Sequence, residues 1–373
     1  MREIIQWLSS SMYIPPLSPG CKLCARGEKM VLLITGKCNA KCFYCPLSLK
    51  KRNKDKIYAD EWKLKDENDV EKILTETRLI EAKGAGITGG DPLIVIERTC
   101  RYISMLKNEF GEDFHIHLYT PNVQDLEDIE RLASSGLDEI RFHPVPQLWN
   151  KMEKSGLSKK IEHFKNLGVD VAIELPVLPN RERDIVSLIL WADENNVDWV
   201  NLNELEYSES NYINLDERGY ALRNESAATV AGSEETAVKI LRRCSEKNLN
   251  IGVHYCSSSF KDGVQLRNRI KRRAKNVAKP YDVVTEDGTL LRGTIYGGRD
   301  LEKLRDFIIK TFNVPVKLVE IDREKKRLNM AAWILQDIAA ELKKKGFECY
   351  MVEEYPTADR LEVERVDLPI KQT

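Results

Sequence analysis

Short apolar runs alternate with segments of helical spacing between Met30 and about Phe260. Between the runs, hydrophobic residues recur three or four positions apart, as at Ile161, Phe164 and Leu167. Strands that alternate with helices are typical of βα units around a parallel sheet. The predicted strands span 30–35, 84–88, 114–120, 137–143, 169–175, 197–203 and 250–256. We therefore predict an α/β fold with a partial, TIM-like (β/α) barrel over 30–260, and a doubly wound open sheet is the alternative.

Polar and apolar residues also alternate within these strands. In 169–175 the valines, isoleucine and leucine share one face, and Glu174 lies on the other. A parallel sheet that is covered by helices normally has apolar residues on both faces. A polar face is therefore predicted to line a ligand cavity, and the alternative is an antiparallel sheet with one solvated face. The same face carries further polar residues in four other strands: His117, Tyr119, Arg141, His143, Asn201, Asn203, His254 and Cys256.

The pattern changes on either side of the predicted barrel. Residues 1–29 form an N-terminal segment, and 261–279 read as a basic connecting helix that ends before Pro280. Residues 280–373 then predict a small C-terminal α+β domain. Within it we expect an Asp-Gly hairpin, helices near 300–311 and 327–345, and strands near 315–321 and 347–353.

Composition narrows the class of protein. The chain has 373 residues, of which 42% are hydrophobic and 31% charged, and these values are typical of a globular protein. The first twenty residues lack the apolar stretch of a signal peptide, and no run approaches the roughly 18 apolar residues of a membrane helix. We expect a cytoplasmic protein that does not bind a membrane. Its nine cysteines are then expected to be reduced ligands, catalysts or core residues.

Three thiols follow the first predicted strand within one loop. Cys38, Cys42 and Cys45 have x3 and x2 spacing, with the aromatic Tyr44 before the last cysteine. Thiolates favour iron–sulfur clusters and zinc, and three protein ligands leave one coordination position for a cofactor, substrate or water. A zinc knuckle is the alternative interpretation of this loop.

A second motif follows the next predicted strand. Residues Thr88 to Pro92 read Thr-Gly-Gly-Asp-Pro. The glycines Gly89 and Gly90 lack a Cβ, so the backbone can approach a bound molecule closely, while Asp91 can accept hydrogen bonds from an ammonium group. The alternative is an ordinary turn.

The cysteine loop, followed one βα unit later by this turn, resembles the radical S-adenosylmethionine (SAM) superfamily, and in particular an archaeal group related to pyruvate formate-lyase activating enzymes. The resemblance covers residues 30–260 and identifies the predicted barrel as a radical SAM barrel. It implies that Cys38, Cys42 and Cys45 hold a [4Fe–4S] cluster, whose fourth iron site binds SAM. It also implies reductive cleavage of SAM, after which a 5′-deoxyadenosyl radical abstracts a hydrogen atom from the substrate.

The resemblance further implies where SAM lies. Tyr44 is expected near the adenine, and Gly89, Gly90 and Asp91 near the methionine moiety. Asp91 replaces the glutamate of the family's Gly-Gly-Glu segment with a shorter carboxylate. Four residues of the polar face are candidates for SAM's carboxylate, its ribose or the substrate, and their alternative role is a hydrogen-bonded network inside the barrel: Tyr119, Arg141, Glu174 and Asn201.

The remaining cysteines divide into two groups. Cys100, Cys244 and Cys349 share helix or strand faces with apolar residues and are predicted to pack in the core. Cys21 and Cys24 form a Cys-x2-Cys pair, and Cys256 ends the last predicted strand on the same face as His254. We predict a second metal site from Cys21, Cys24 and Cys256, either zinc or an auxiliary iron–sulfur cluster, with His254, another cysteine or an external ligand as its fourth partner.

The substrate is not determined by these motifs. Basic residues of the run 267–279 are spaced along a predicted helix and allow an RNA substrate, although a solvated helix face explains them equally well. A protein substrate is the other macromolecular possibility, and glycyl-radical-enzyme activase is the first alternative function. An electron donor such as ferredoxin or flavodoxin is expected. The alternative of a different class is a non-catalytic metalloprotein that binds nucleic acid or transfers electrons.

Overall fold

The computed structural model describes residues 2–224, 228–298 and 300–368. The chain divides into two compact units. The first comprises Met1–Arg78 with Ala82–Leu266, and the second comprises Leu79–Glu81 with Arg267–Thr373.

The described residues of the first unit form eleven strands and nine helices. Its strands are β1 (Ile5–Gln6), β2 (Met12–Ile14), β3 (Lys29–Thr35), β4 (Tyr58–Ala59), β5 (Trp62–Lys63), β6 (Gly84–Gly89), β7 (His115–Thr120), β8 (Glu139–Phe142), β9 (Asp170–Val177), β10 (Trp199–Glu204) and β11 (Gly252–Cys256). Its helices are α1 (Pro19–Ala25), α2 (Val70–Leu79), α3 (Ile96–Phe110), α4 (Leu126–Ser134), α5 (Leu157–Asn166), α6 (Glu182–Glu194), α7 (Tyr212–Asp216), α8 (Ser233–Ser245) and α9 (Ser258–Phe260). Short 3-10 turns span Pro92–Val95, Pro146–Leu148 and Met152–Lys154, and a π-helical segment spans Lys261–Leu266.

These strands form one sheet in the order β1-β2-β11-β10-β9-β8-β7-β6-β3-β4-β5. The seven strands from β3 through β6 to β11 run parallel to one another, and each corresponds to a strand predicted from the sequence. Strand β2 pairs antiparallel with β11, and β4 pairs antiparallel with β3. The predicted α/β fold with a partial, TIM-like barrel is thus confirmed, and the antiparallel alternative is wrong.

One face of the parallel sheet is apolar. Ile116 and Leu118 of β7 and Ile140 and Phe142 of β8 are fully buried. Helices α3, α4, α5, α6 and α8 each bury an apolar stripe, because their hydrophobic residues recur at helical spacing. The polar residues of the strands lie on the opposite face, as the alternation predicts.

Helix α1 lies against that polar face. Ser18 caps its N-terminus by accepting a hydrogen bond from the Cys21 backbone at 3.1 Å, and Pro19 occupies the first turn, where its missing N–H costs nothing. A Cβ on Gly20 would lie 2.8 Å from Arg141 Nη2, so the glycine lets α1 pack closely on this side chain. The N-terminal segment therefore contributes to the barrel interior, which the sequence did not predict.

The second unit is an antiparallel sheet with two helices packed on it and a basic helix before it. Its elements are α10 (Arg267–Val277), β12 (Val283–Val284), β13 (Leu290–Tyr296), α11 (Leu301–Phe312), β14 (Val319–Asp322), β15 (Arg327–Met330), α12 (Ala332–Lys344), β16 (Glu348–Glu354) and β17 (Glu362–Asp367). The strand order is β14-β15-β13-β16-β17, with β12 paired to β13. Leu304, Ile308, Leu335 and Leu342 of the two packed helices join a core with Leu328 of the sheet.

Two sequence predictions differ from this unit. The helix predicted over 327–345 begins only at Ala332, because 327–330 form β15 between β13 and β14. The strand predicted over 315–321 begins with a 3-10 turn, Val316–Leu318, before β14. Strand β17 was not predicted from the sequence, because the residues of Glu362–Asp367 are mostly charged and exposed.

Candidate active site

The three loop thiols lie on the wall of a cavity of about 980 Å³ at the carboxyl ends of the parallel strands. Cys38, Cys42 and Cys45 all line it and are partly exposed. The segment after β10 holds the loop from outside: Ser210 Oγ donates to the Cys45 carbonyl at 3.0 Å, and Asn211 Nδ2 donates to the Tyr44 carbonyl at 3.1 Å. Because the fixation is to backbone atoms, the thiol groups stay available to a ligand.

The Gly-Gly pair packs directly against the cysteine loop. The Gly90 N–H donates to the Thr35 carbonyl at 2.8 Å, and the next N–H, that of Asp91, donates to the Lys37 carbonyl at 2.7 Å. A Cβ on Gly89 or Gly90 would lie only 2.1 Å from one of these two carbonyl oxygens, and the φ of Gly89 is +142°. We predicted that the glycines let a bound molecule approach the backbone closely, but in the structure the cysteine loop makes this close approach. Both glycines also line the cavity.

The Asp91 carboxylate is occupied by neighbouring protein groups. Its Oδ1 accepts hydrogen bonds from the Leu93 backbone at 3.2 Å and from Thr120 Oγ1 at 3.0 Å. Burial raises the pKa of this carboxyl. The Asp91 side chain caps the 3-10 turn Pro92–Val95. The predicted contact with SAM would therefore have to come from the neighbouring backbone and not from this carboxylate.

Tyr44 and His143 connect the cysteine loop to the sheet. Tyr44 Oη lies 3.0 Å from His143 Nε2, and both side chains line the cavity. Burial, together with the nearby Cys42, raises the pKa of Tyr44, and burial lowers the pKa of His143. A neutral imidazole is therefore available to accept the hydrogen bond of a neutral phenol. His143 was placed on the polar face from the sequence but was not selected as a site residue.

Glu174 is the carboxylate that lies opposite the loop. Its Oε2 accepts a hydrogen bond from Arg141 Nη1 at 2.9 Å, and its Oε1 accepts one from Asn203 Nδ2 at 2.7 Å. Tyr119, Glu174 and Asn203 line the cavity. Asn203 was not selected from the sequence, although it shares strand parity with Asn201 and could have been found by extending that pattern to the strand end.

Arg141 and Asn201 lie deeper, beneath α1. Arg141 is 3% exposed and donates from Nε to Glu139 at 2.7 Å and from Nη2 to Ser18 Oγ at 3.1 Å. Asn201 Oδ1 lies 2.6 Å from His254 Nδ1. Both line a void of only about 10 Å³ rather than the large cavity. Their alternative role, a hydrogen-bonded network inside the barrel, is the one that these contacts support.

The residues predicted to form a second metal site have separate partners. Cys21 Sγ lies 3.8 Å from Arg141 Nη2, and Cys256 Sγ lies 3.6 Å from Gln265 Nε2. Cys24 lines the large cavity, and burial, followed by the nearby Cys21, raises its pKa to about 11. In the part of the chain that the structure describes, these thiols and His254 do not form a set of three ligand atoms within 4.8 Å of one another. These thiols are therefore not gathered for a single zinc ion, and the second metal site stays a prediction.

The spacing of the loop thiols bears on which metal group they fit. Tetrahedral zinc with Zn–S bonds of about 2.3 Å would hold its sulfur ligands roughly 3.8 Å apart. Within the described residues, Cys38, Cys42 and Cys45 are likewise not gathered within 4.8 Å. In a cubane each thiolate binds a different iron, so its ligands lie farther apart than those of a single ion. Three thiols on one cavity wall thus fit a [4Fe–4S] cluster better than a zinc knuckle.

Comparison with known proteins agrees with this geometry. The model of the radical SAM superfamily matches residues 32–144. A protein of Methanocaldococcus jannaschii, named as a candidate glycyl-radical enzyme activating enzyme, is 41% identical over 381 residues, which cover 100% of this chain and 98% of that protein. The chain belongs to the radical SAM superfamily. It is therefore an enzyme of the radical SAM class, and the family implies a [4Fe–4S] cluster and SAM as its cofactors.

Other similarities are partial. A protein of Methanococcus maripaludis, named as a candidate GTP 3′,8-cyclase, is 30% identical over 151 residues, or 40% of this chain and 46% of that protein. The crystal structure of Streptococcus suis SuiB bound to S-adenosylmethionine has a TM-score of 0.43 and 13% identity, covering 62% of this chain and 50% of that chain. Residues 288–368 match a domain of unknown function, DUF8061. In the described parts of the chain, no helix is long and apolar enough to cross a membrane.

Proposed function

We propose that this radical SAM enzyme acts on a protein, as a glycyl-radical-enzyme activase that removes a hydrogen atom from a glycine of its partner. The observation that carries the proposal is the identity of 41% along the whole chain to a protein named as a candidate activating enzyme. The cavity of about 980 Å³ supports it, because a backbone loop of a partner could enter such a space beside SAM.

Within this proposal Cys38, Cys42 and Cys45 hold the cluster, since all three thiols face the cavity. When bound, the reduced cluster and SAM supply a 5′-deoxyadenosyl radical that abstracts a hydrogen atom. The backbone of Gly89 and Gly90 fixes the loop and borders the space for the methionine moiety. Tyr44, held by His143, borders the space for the adenine.

The polar strand ends orient SAM and exclude water. Glu174 has both oxygens directed by neighbours, so its carboxylate is pre-organised to accept hydrogen bonds from ribose hydroxyl groups. Tyr119 lines the same wall. Elsewhere in the cavity lining, Lys261 forms an ion pair with Glu206 at 2.9 Å. Burial alone would lower the pKa of Lys261, but the Glu206 carboxylate raises it. Lys261 and Glu206 of the lining thus neutralise each other.

The basic helix supports a protein rather than an RNA substrate. Arg267 pairs with Asp287 at 3.0 Å, and Arg272 pairs with Glu81 at 3.4 Å. Arg273 is buried and donates to the Pro356 carbonyl. Guanidinium groups that already bind protein acceptors are poorly placed to neutralise phosphates, so these three arginines act within their own unit. A ferredoxin or flavodoxin as electron donor stays a prediction.

Transfer of deuterium from glycine tests the proposal. Reconstituted enzyme, dithionite and unlabelled SAM are incubated anaerobically with the protein fraction of source-organism cells grown on α-deuterated glycine. We expect 5′-deoxyadenosine that contains one deuterium, because the abstracted atom stays on the deoxyadenosyl product. A parallel incubation uses the RNA fraction of the same cells. Deuterium-free product from the protein fraction, together with stimulation by RNA, would overturn the proposal.

A further inference from the structure

Three metal-ligating side chains meet near the amino-terminal ends of two central strands. His115 and His117 belong to β7 and Glu139 begins β8. One ligand atom of each residue lies within 4.8 Å of the ligand atoms of the other two, and this is the one such group among residues 2–224, 228–298 and 300–368. His115 and Glu139 lie at the amino-terminal ends of their strands, whereas His117 lies further along β7 and also lines the large cavity.

Each of the three side chains directs an unpaired polar atom into the group. His115 Nε2, His117 Nδ1 and Glu139 Oε2 are buried and have no hydrogen-bond partner. His117 is 2% exposed and Glu139 is fully buried. A buried polar atom without a partner is destabilising, so three that lie close to one another indicate a missing common partner.

Neighbouring groups bind one further polar atom of His115 and one of Glu139. Lys29 Nζ lies 2.9 Å from His115 Nδ1, and Glu139 Oε1 accepts the hydrogen bond of Arg141 Nε at 2.7 Å. The contact with Arg141 fixes the orientation of the Glu139 carboxylate, as outer contacts of metal ligands typically do. The two contacts leave His115 Nε2 and Glu139 Oε2 directed towards each other at 3.6 Å.

The distances and the available space suit a small ion. Tetrahedral zinc with bonds of about 2.1 Å holds nitrogen and oxygen ligands roughly 3.4 Å apart, close to the 3.6 Å between His115 and Glu139. Gly20 places no side chain beside these atoms. A Cβ there would lie 2.9 Å from His117 Nδ1 and 3.1 Å from Glu139 Oε2.

We propose that His115, His117 and Glu139 bind a divalent first-row transition metal ion, best matched by zinc, in a site beneath helix α1. Two histidines and one carboxylate are a common protein ligand set for zinc, and water completes the tetrahedron. The ion crosslinks β7 to β8. This site uses no thiol and is separate from the Cys21, Cys24 and Cys256 set.

Metal analysis of the full-length enzyme tests the site without SAM or substrate. The [4Fe–4S] cluster is first fully reconstituted, so that Cys38, Cys42 and Cys45 are occupied, and loosely held zinc is removed by gel filtration. We expect one zinc per chain. Zinc K-edge absorption should show only nitrogen and oxygen ligands at about 2.0–2.1 Å. A sulfur shell near 2.3 Å, or failure to retain added zinc, would overturn the proposal.

Variants separate this site from general effects on folding. His115→Ala should lose the zinc, whereas the control His163→Ala, on helix α5 and remote from the group, should retain it. Gly20→Ala keeps every ligand but places a methyl group in the space of the ion, so it should also lose zinc. Added zinc should raise the melting temperature of the wild-type protein but not of either site variant. Full zinc content in folded His115→Ala and Gly20→Ala proteins would contradict the proposal.

Discussion

The contact between Gly90 and the cysteine loop makes a precise prediction for Gly90→Ala. A Cβ at this position would lie 2.1 Å from the Lys37 carbonyl oxygen and 2.8 Å from that of Gly36. Both atoms belong to backbone, so neither can rotate away as a flexible side chain would. To restore even a 3.0 Å contact, the loop that carries Cys38 must move by about 1 Å.

A displacement of this size should lower turnover strongly. Misplacement of reacting groups by about 1 Å can cost roughly 100-fold in rate, or about 2.7 kcal/mol in the activation barrier. The assay is the initial rate of 5′-deoxyadenosine release under anaerobic conditions with dithionite and SAM, normalised to the iron bound. We expect a decrease of about two orders of magnitude for Gly90→Ala.

The chain provides a matched control in Gly263→Ala. Gly263 lies in the π-helical segment Lys261–Leu266, and a Cβ there would have no atom within 4 Å. This variant should retain wild-type turnover within about twofold, because alanine in a helical segment costs nothing sterically. Wild-type iron content and turnover in Gly90→Ala would refute the inference that the Gly-Gly pair fixes the loop.

Three further predictions concern individual charges. Glu174→Gln should lower kcat/KM for SAM about 10- to 100-fold, because hydrogen bonds to a charged carboxylate are lost. The assay measures 5′-deoxyadenosine release as a function of SAM concentration. An unchanged kcat/KM would exclude Glu174 from SAM binding. Arg327 is fully buried and donates to Glu354 at 2.5 Å. Arg327→Ala should therefore lower the free energy of unfolding in urea by about 3–5 kcal/mol, whereas the control Arg365→Ala, which breaks an exposed ion pair, should lower it by less than about 1 kcal/mol. Equal losses of unfolding free energy in the two variants would contradict this prediction. Burial opposes ionisation of Asp322, but hydrogen bonds from Arg360 prevail and lower its pKa to about 2. The ionised Asp322 therefore contributes fully to stability above about pH 4, and this contribution is lost as the pH falls towards about 2. In urea titrations at different pH values, the unfolding free energy of Asp322→Asn should fall less between about pH 4 and about pH 2 than that of the wild type. Parallel pH dependences of the two proteins would refute the prediction.

Strand parity predicted much of the first unit correctly. The alternation around Glu174 placed it on the polar face because side chains alternate strictly along a strand. The spacing of Cys38, Cys42 and Cys45 identified the loop, since its chemistry is local in sequence. These features depend on neighbours within a few residues, which a sequence displays directly.

Features that depend on distant partners could not be predicted in this way. The Asp91 carboxylate accepts a hydrogen bond from Thr120, a residue of another strand, so its side chain does not line the cavity. Helix α1 packs on Arg141 through Ser18 and Gly20, a contact that local sequence does not reveal. The segment 327–330 is drawn into β15 by two neighbouring strands, although helical spacing continues into it.

The unpaired atoms of His115, His117 and Glu139 show the same limit. The two histidines lie two positions apart, and this spacing alone indicates only a shared strand face. Glu139 joins them through the parallel pairing of β7 with β8, in which His117 is the partner of Glu139. The ligand set therefore becomes visible only when the sheet register is known.

Release of 5′-deoxyadenosine tests the central claim most directly. Wild-type enzyme with a complete cluster, dithionite and SAM should release 5′-deoxyadenosine and methionine in equal amounts under anaerobic conditions. Cys42→Ala should remain folded, lose the cluster and release neither, while Cys100→Ala, altered on helix α3, should behave as wild type. Absence of 5′-deoxyadenosine from the fully loaded wild-type enzyme, or full iron content in Cys42→Ala, would contradict the account.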